Sequence, residues 1–309
     1  AQFFMDQAQK YRSQGAWRKA LKDYQHVVAK FPHSTMAPQA LWETAQVLRG
    51  RHKWAKAFKN LERIVKEYPE FKDYSKVVQA QFEIAQSVAC RLKRGSSFFS
   101  WIGGVGEKQQ IEFYQTVIRN APSSPLAQES LIRISEIYQR QKKYDQAAEA
   151  LDRLIGYYPT TPLRPQAMLK VAQLHKNLVK GAEYDQGSTH QAIQDYEDLI
   201  TTYPESPQAE QAAAELEEMR TILAESKLYM GDFYLRARGR PKAAVACYNQ
   251  ARSIAGAESG IGTASTERIK SIKEGRRLPK SFGEKIFGRY QEKKTSDKEL
   301  ELQVRISEN

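Results

Sequence analysis

The chain writes one hydrophobic phrase several times. In residues 54–69, WAKAFKNLERIVKEYP, the apolar residues Trp54, Ala57, Phe58, Leu61, Ile64, Val65 and Tyr68 fall on one stripe of a helix with 3.6 residues per turn. Lys, Glu, Asn and Arg take the opposite side. The frame fits residues 17–32 without gaps, supplying Trp17, Ala20, Leu21, Tyr24, Val27, Val28 and Phe31. It fits residues 144–159 as well, supplying Tyr144, Ala147, Ala148, Leu151, Leu154, Ile155 and Tyr158. Residues 107–122 and 189–204 keep the frame and contribute Tyr114, Ala192 and Tyr196. Five helices with one stripe and a closing proline are an internal repeat, which decides the architecture before any single motif does.

A second helical phrase lies between each proline and the next such helix. Ser34, Ser124, Thr161 and Ser206 stand two residues after a proline, where a hydroxyl caps the first turn of a helix. Pro125, Pro162 and Pro207 then fall at the first helical position, where a missing N–H costs nothing. Each of these A helices is expected to pack antiparallel on the following B helix through a turn such as Gln14-Gly15-Ala16 or Arg49-Gly50-Arg51. Ala20, Ala57, Ala147 and Ala192 share one B-helix position, where the neighbouring helix crosses.

The closing prolines stand at 32, 69, 122, 159 and 204, so the base unit is 37 residues and two intervals are longer. The insertions lie at 94–106 and around 181–187. The first places Phe98, Phe99, Trp101 and Ile102 in a loop rich in glycine and serine, where they either fold back on the repeats or meet a partner. A long helical pattern runs over 209–237, turns at Arg238-Gly239, and leads to a weaker B-like helix over 241–255. The expected fold is an all-α, right-handed α-solenoid of five to six helix pairs, near 1–32, 37–69, 75–122, 125–159, 163–204 and 207–255. Residues 256–309 form a mixed-charge extension with a short helix near 266–274, otherwise partly disordered or ordered by a partner.

Composition sharpens this reading. An apolar fraction of 41% with 27% charged residues describes a globular chain with enough apolar mass for a continuous core. No run reaches the roughly 18 apolar residues of a spanning helix. Residues 1–16 are too polar for a signal peptide, so an exported protein of this sequence has lost its targeting segment. Cys90 and Cys247 lie in separate repeats without metal-ligand spacing and read as small buried hydrophobes. The formal charge is +12; residues 256–309 hold 12 basic and 9 acidic residues, which leaves +9 over the repeats. With no aromatic-interleaved RNA motif, nucleic acid is not an expected partner. His26, His33, His52, His175 and His190 show no ligand spacing, and Gly103-Gly104-Val105-Gly106 lacks the Lys-Ser/Thr of a phosphate loop. No catalytic residue, cofactor or metal is expected, and the chain reads as a non-enzymatic scaffold.

Helix pairs with alanine at the crossing, an aromatic at the end of helix B and a proline stop resemble the tetratricopeptide (TPR) repeat. More narrowly, residues 203–248 resemble the BamD (YfiO-type) lipoproteins of outer-membrane assembly. The likeness lies in the Tyr-Pro-x-Ser-Pro-x-Ala start, Leu223-Ala224-Glu225, Phe233-Tyr234, and Arg238-Gly239 before Ala243, Ala244 and Val245. The resemblance implies a periplasmic protein anchored by lipid to the inner leaflet of the outer membrane. Its implied partners are the barrel protein BamA and unfolded outer-membrane protein segments. Arg238 is implied at the BamA-facing turn, and Arg236 beside it is a second docking candidate; Phe98, Phe99, Trp101 and Ile102, in an insertion outside the family pattern, are candidate partner-binding residues on their own apolar character. No lipid-accepting cysteine lies near Ala1. Two other readings stay open, a different periplasmic TPR adaptor such as a Tol-Pal coordinator and a ligand-binding protein on a TPR frame.

Overall fold

The computed structural model describes residues 1–93 and 106–276, with main chain only over 89–93. Two compact units divide the chain, Ala1–Tyr158 and Pro159–Asn309. In the first, α1 (Gln2–Ser13), α3 (Met36–Gly50), α5 (Tyr74–Lys93) and α7 (Pro125–Arg140) alternate with α2 (Trp17–Lys30), α4 (Trp54–Glu67), α6 (Glu107–Asn120) and α8 (Tyr144–Tyr157). The second holds α9 (Arg164–Lys176), α10 (Gly187–Thr202), α11 (Pro207–Arg236), α12 (Pro241–Ala255) and α13 (Gly260–Lys273). Among the described residues there is no strand. Each unit is a stack of helical hairpins of the TPR α-solenoid class: α1 packs on α2, α3 on α4, α5 on α6, α7 on α8, α9 on α10 and α11 on α12. At 30 residues α11 is about 45 Å long. It packs on α10 and α9 and also on α12 and α13.

The repeated stripe is the buried surface. Ala20, Ala57, Ala147, Ala192 and Ala244 are fully buried, and each gives its neighbouring helix close approach. Four residues further on, Tyr24, Tyr196 and Tyr248 are buried to the hydroxyl, while Leu61 and Leu151 take that place in two other B helices; in α6 the equivalent Tyr114 is buried too, four residues after Gln110. Burial of one such side chain contributes about 2 kcal/mol or more. Isolated helices of 12–16 residues are marginal in water, so this stacking holds them.

Two features repeat with the frame. Gly15, His52, Lys142 and Gly239 all have left-handed backbone, and each stands two residues before the first residue of a B helix. The A-to-B turn demands that geometry whatever the residue, and the non-glycine cases carry its strain. The aromatic before the closing proline ties neighbouring repeats: Tyr68 Oη donates to the Pro32 carbonyl at 2.8 Å, and Tyr158 Oη donates to the Pro122 carbonyl. The end of each of these B helices is thus fastened to the end of the B helix before it.

Several expectations change in detail. Ser124 and Ser206 cap α7 and α11, accepting from Ala127 N and Ala209 N. Ser34 and Thr161 instead accept from Met36 N and Leu163 N in tight turns ahead of the helix. Pro162 therefore precedes α9, and Pro165 takes its first turn. Gly50 remains helical, and His52 makes the left-handed turn. Trp17, expected in the core, is 37% exposed because it starts the helix at the edge of the first hairpin; Trp54 and Tyr144 at the same position are half-buried. The helix expected near 266–274 begins six residues earlier, at Gly260, because Ser259 Oγ accepts from Gly262 N at 2.9 Å. It packs on α12 and α11, so the packed body runs past residue 255.

Candidate interaction surfaces

In the first unit the A helices lie side by side, and charged side chains link them. Arg12 of α1 pairs with Glu43 of α3, Arg49 of α3 with Glu83 of α5, and Gln86 of α5 donates to Glu129 of α7 at 3.3 Å. Arg133 binds Glu129 and Glu136 on α7 itself. Arg12 and Arg49 stand one 37-residue repeat apart, so this row has a signal in the sequence. Between α3 and α5 the row opens into a groove of about 460 Å³ lined by Trp42, Gln46, Arg49, Lys76, Gln79 and Glu83. Gln46 Oε1 accepts from Arg49 at 3.3 Å, and its Nε2 is buried without a protein partner among the described residues. Amides, paired charges and one indole suit a polar peptide segment, which needs partners for its backbone and a surface for its side chains.

The buried tyrosines reach these same charges. Tyr24 lies beside Arg12 and Glu43, and Tyr114 beside Gln110, Arg133 and Glu129. Burial pushes Tyr24 up and raises Tyr114 to about 12. In the second unit Tyr196 Oη donates to Glu215 at 2.7 Å, and burial together with that carboxylate raises it strongly. Glu215 also accepts from Gln173 and Gln211 at 2.9 Å and faces Lys176 at 3.5 Å. Burial pushes Glu215 upward, but these donors outweigh it and hold the carboxylate below its usual range. Glu215 is therefore the node joining α9, α10 and α11. His175 pairs with Asp195 nearby.

The turn after α11 has its own node. Asp232 accepts from Tyr248 Oη at 2.7 Å and from Arg268 Nε at 2.9 Å, which fastens α11, α12 and α13 together. Burial first, then Asp232, raises Tyr248 strongly. Above this node the chain turns through Gly239, and Arg240 N donates to the Tyr234 carbonyl at 2.9 Å. The exposed Arg238 guanidinium lies 5.5 Å from the Phe233 ring centre. Arg236 is half-buried, and its charge acts on Tyr248. The structure brings Arg236 and Arg238 to the C-terminal end of α11, where the dipole favours cations, and puts Arg240 across the turn at the start of α12. Phe98, Phe99, Trp101 and Ile102 lie outside the described residues, as does the side chain of Cys90. Cys247 is buried, and burial raises its thiol. Among the described residues no helix is long and apolar enough to cross a membrane.

Comparison with protein families agrees with this architecture. The YfiO family, described as outer membrane lipoprotein, matches residues 108–253, and a tetratricopeptide-repeat family matches residues 5–70. The chain is thus a TPR-repeat protein resembling the YfiO (BamD) type. A curated relative, outer membrane protein assembly factor BamD of Caulobacter vibrioides, is 24% identical over 137 residues. That alignment takes in 44% of this chain and 45% of the relative, so the chain spans less than half the length of the protein it matches. A thermophilic TPR protein in Thermus thermophilus is 13% identical with a TM-score of 0.32, covering 71% of this chain and 97% of that one. A tetratricopeptide repeat protein from Parabacteroides merdae is 15% identical with a TM-score of 0.32, covering 87% and 97%.

Proposed function

We propose that this protein is a BamD-like interaction scaffold, a component for assembly and insertion of β-barrel proteins into the bacterial outer membrane. The observation that carries the reading is the YfiO match over residues 108–253, which contains the Arg236–Arg240 turn and most of the second unit. The scaffold works by mass action. The polar A-helix face holds an extended segment of a client, and the arginine turn docks a BamA-like periplasmic domain. The setting is the periplasm, with attachment to the outer membrane through a lipid anchor. Arg238 is the docking residue of choice because it is exposed at a fixed turn, with its guanidinium over the Phe233 ring.

The test is association of the purified chain with the periplasmic domains of the BamA protein from the same organism, measured by calorimetry. Binding is expected, and Arg238→Glu should weaken it at least ten-fold with helicity and melting temperature unchanged. Absence of binding by the parent chain would overturn the barrel-assembly reading. Binding that survives the substitution would remove Arg238 from the interface.

A further inference from the structure

The last described helix is held less by apolar contact than the helices before it. Where α9, α10 and α11 meet, the core includes Leu169, Tyr196, Leu199, Leu216 and Met219. Where α13 meets α11 and α12, the buried core is Ala244, Tyr248 and Ile272, and Ile272 is the one buried apolar side chain that α13 supplies. Its other inward positions are Gly262, Ser265 and Ser271, and Ser265 Oγ is buried without a hydrogen-bond partner among the described residues. Such a group costs stability when the helix docks. Six of its fourteen residues, Gly260, Gly262, Thr263, Ser265, Thr266 and Ser271, are poor helix formers. The outward Thr263, Thr266, Glu267, Lys270 and Lys273 are exposed.

What places α13 is polar and particular. Arg268 Nε donates to Asp232 Oδ1 at 2.9 Å, and Nη2 donates to Oδ2 at 3.4 Å. A carboxylate engaged at both oxygens reads the planar fork of an arginine, which a lysine does not reproduce. The helix returns onto α12 through the left-handed Gly256, and a β-carbon at Gly262 would overlap the Gly256 carbonyl oxygen. The crossing therefore demands glycine, and α13 docks in one register. A precise register with little apolar area is the combination expected of a contact that opens separately from the core, since local opening follows the elements with the fewest buried apolar contacts.

We propose that the face of α11 and α12 around Asp232 is a helix-binding groove that α13 fills in cis, and that a partner helix of the same pattern takes the place when α13 lifts off. Ala244, Val245 and Tyr248 of α12 and Leu228 and Leu235 of α11 form its floor. The occupant in the structure states the chemistry of the partner: an amphipathic helix with small residues one turn apart, an arginine three residues further and an isoleucine one turn beyond, as in Gly262, Ser265, Arg268 and Ile272. The small residues admit close approach of the backbone, and the arginine answers Asp232. Helix α13 lies beyond the 108–253 match, so the fate of this groove and that of the scaffold reading are separable.

Two measurements on the full chain test this. By hydrogen exchange, the amides of α13 should exchange about ten-fold faster or more than those of α11 and α12, through opening that leaves the hairpins folded. By fluorescence anisotropy, a labelled synthetic peptide of residues 257–276 should bind the full-length variant Arg268→Glu/Ile272→Asp about ten-fold more tightly or more than the parent chain, whose groove is filled. The peptide carrying Arg268→Lys should bind that variant more weakly, and the peptide carrying Arg268→Glu should not bind. Exchange in α13 as slow as in α11 and α12, or loss of hairpin helicity in the variant by circular dichroism, would make α13 a fixed layer of the core and overturn the proposal. So would a folded variant that binds no peptide, or equal binding by variant and parent.

Discussion

Replacing Gly231 by alanine sets two physical effects against each other at a site where the structure fixes both. On helix propensity alone, the change inside α11 should stabilise the protein by about 1 kcal/mol. A β-carbon there, however, would overlap Cε1 of the Tyr248 ring and lie 2.6 Å from Cδ1 and 3.0 Å from Cζ. Tyr248 cannot step aside freely. It is fully buried, and its hydroxyl is held by Asp232, which is itself held by Arg268. Overpacking of this kind costs about 1–3 kcal/mol, and displacing the ring from the carboxylate forfeits a further 1.5–3 or so. The clash wins, and a net destabilisation of roughly 1.5–5 kcal/mol is expected. Thermal melting followed by circular dichroism should show a midpoint several degrees lower. Comparing Tyr248→Leu with Gly231→Ala/Tyr248→Leu isolates the cause: with the ring gone, the added methyl should no longer harm and should regain the helix-propensity benefit. An unchanged or higher melting temperature for Gly231→Ala in the parent chain would refute the close approach of α11 and α12 at this point.

Other expectations follow from features that repeat. Tyr68→Phe removes the hydrogen bond to the Pro32 carbonyl and should cost about 1 kcal/mol in urea unfolding, while Tyr157→Phe, at an exposed position, should cost nothing; equal effects would sink the idea of a staple. Lys142→Gly relieves left-handed strain at the turn into α8 and should raise stability by about 0.5–1 kcal/mol; a loss would show that the strain is compensated elsewhere. Tyr24, Tyr114, Tyr196 and Tyr248 all have raised folded-state values, so the stability they contribute is complete below the unfolded value near pH 10. It is lost as the pH climbs through 10 toward 12 and beyond. Melting temperature should therefore fall steeply above about pH 10, and Tyr196→Phe should flatten that fall; a flat profile to about pH 12 would refute the buried hydroxyls.

The helices and their pairing were legible because burial imposes a period on the sequence, and that period repeats at 37 residues. What burial does not impose was harder to see. The left-handed turn position carries Gly15 and Gly239 but also His52 and Lys142, so residue type hid a feature that register exposes. The closing tyrosines read as apolar stripe, yet their hydroxyls have a separate role. Tyr68 and Tyr158 reach back one repeat to a proline carbonyl, a contact whose acceptor has no side-chain signal. Gly231 gave no warning, because a glycine inside a helix means close approach only once the ring it accommodates is known. The Arg12–Glu43 and Arg49–Glu83 pairs give no local signal, because each partner stands on the next A helix and not on its own.

Repetition itself explains why the site was less legible than the fold. Every hairpin must present the same buried half to its neighbours, so the residues that establish the architecture are nearly interchangeable between repeats and carry no information about partners. Recognition has to reside where equivalent positions differ. Those differences are concrete: lysine and arginine on the outer faces of α2 and α4 against aspartate and glutamate on α8, and Arg238 and Arg240 at the α11 turn against Gln14 and Ala16 at the first. Exposed charges at such places contribute little to stability. They are therefore free to vary with partner chemistry, and substitutions there should change binding while leaving the hairpins folded.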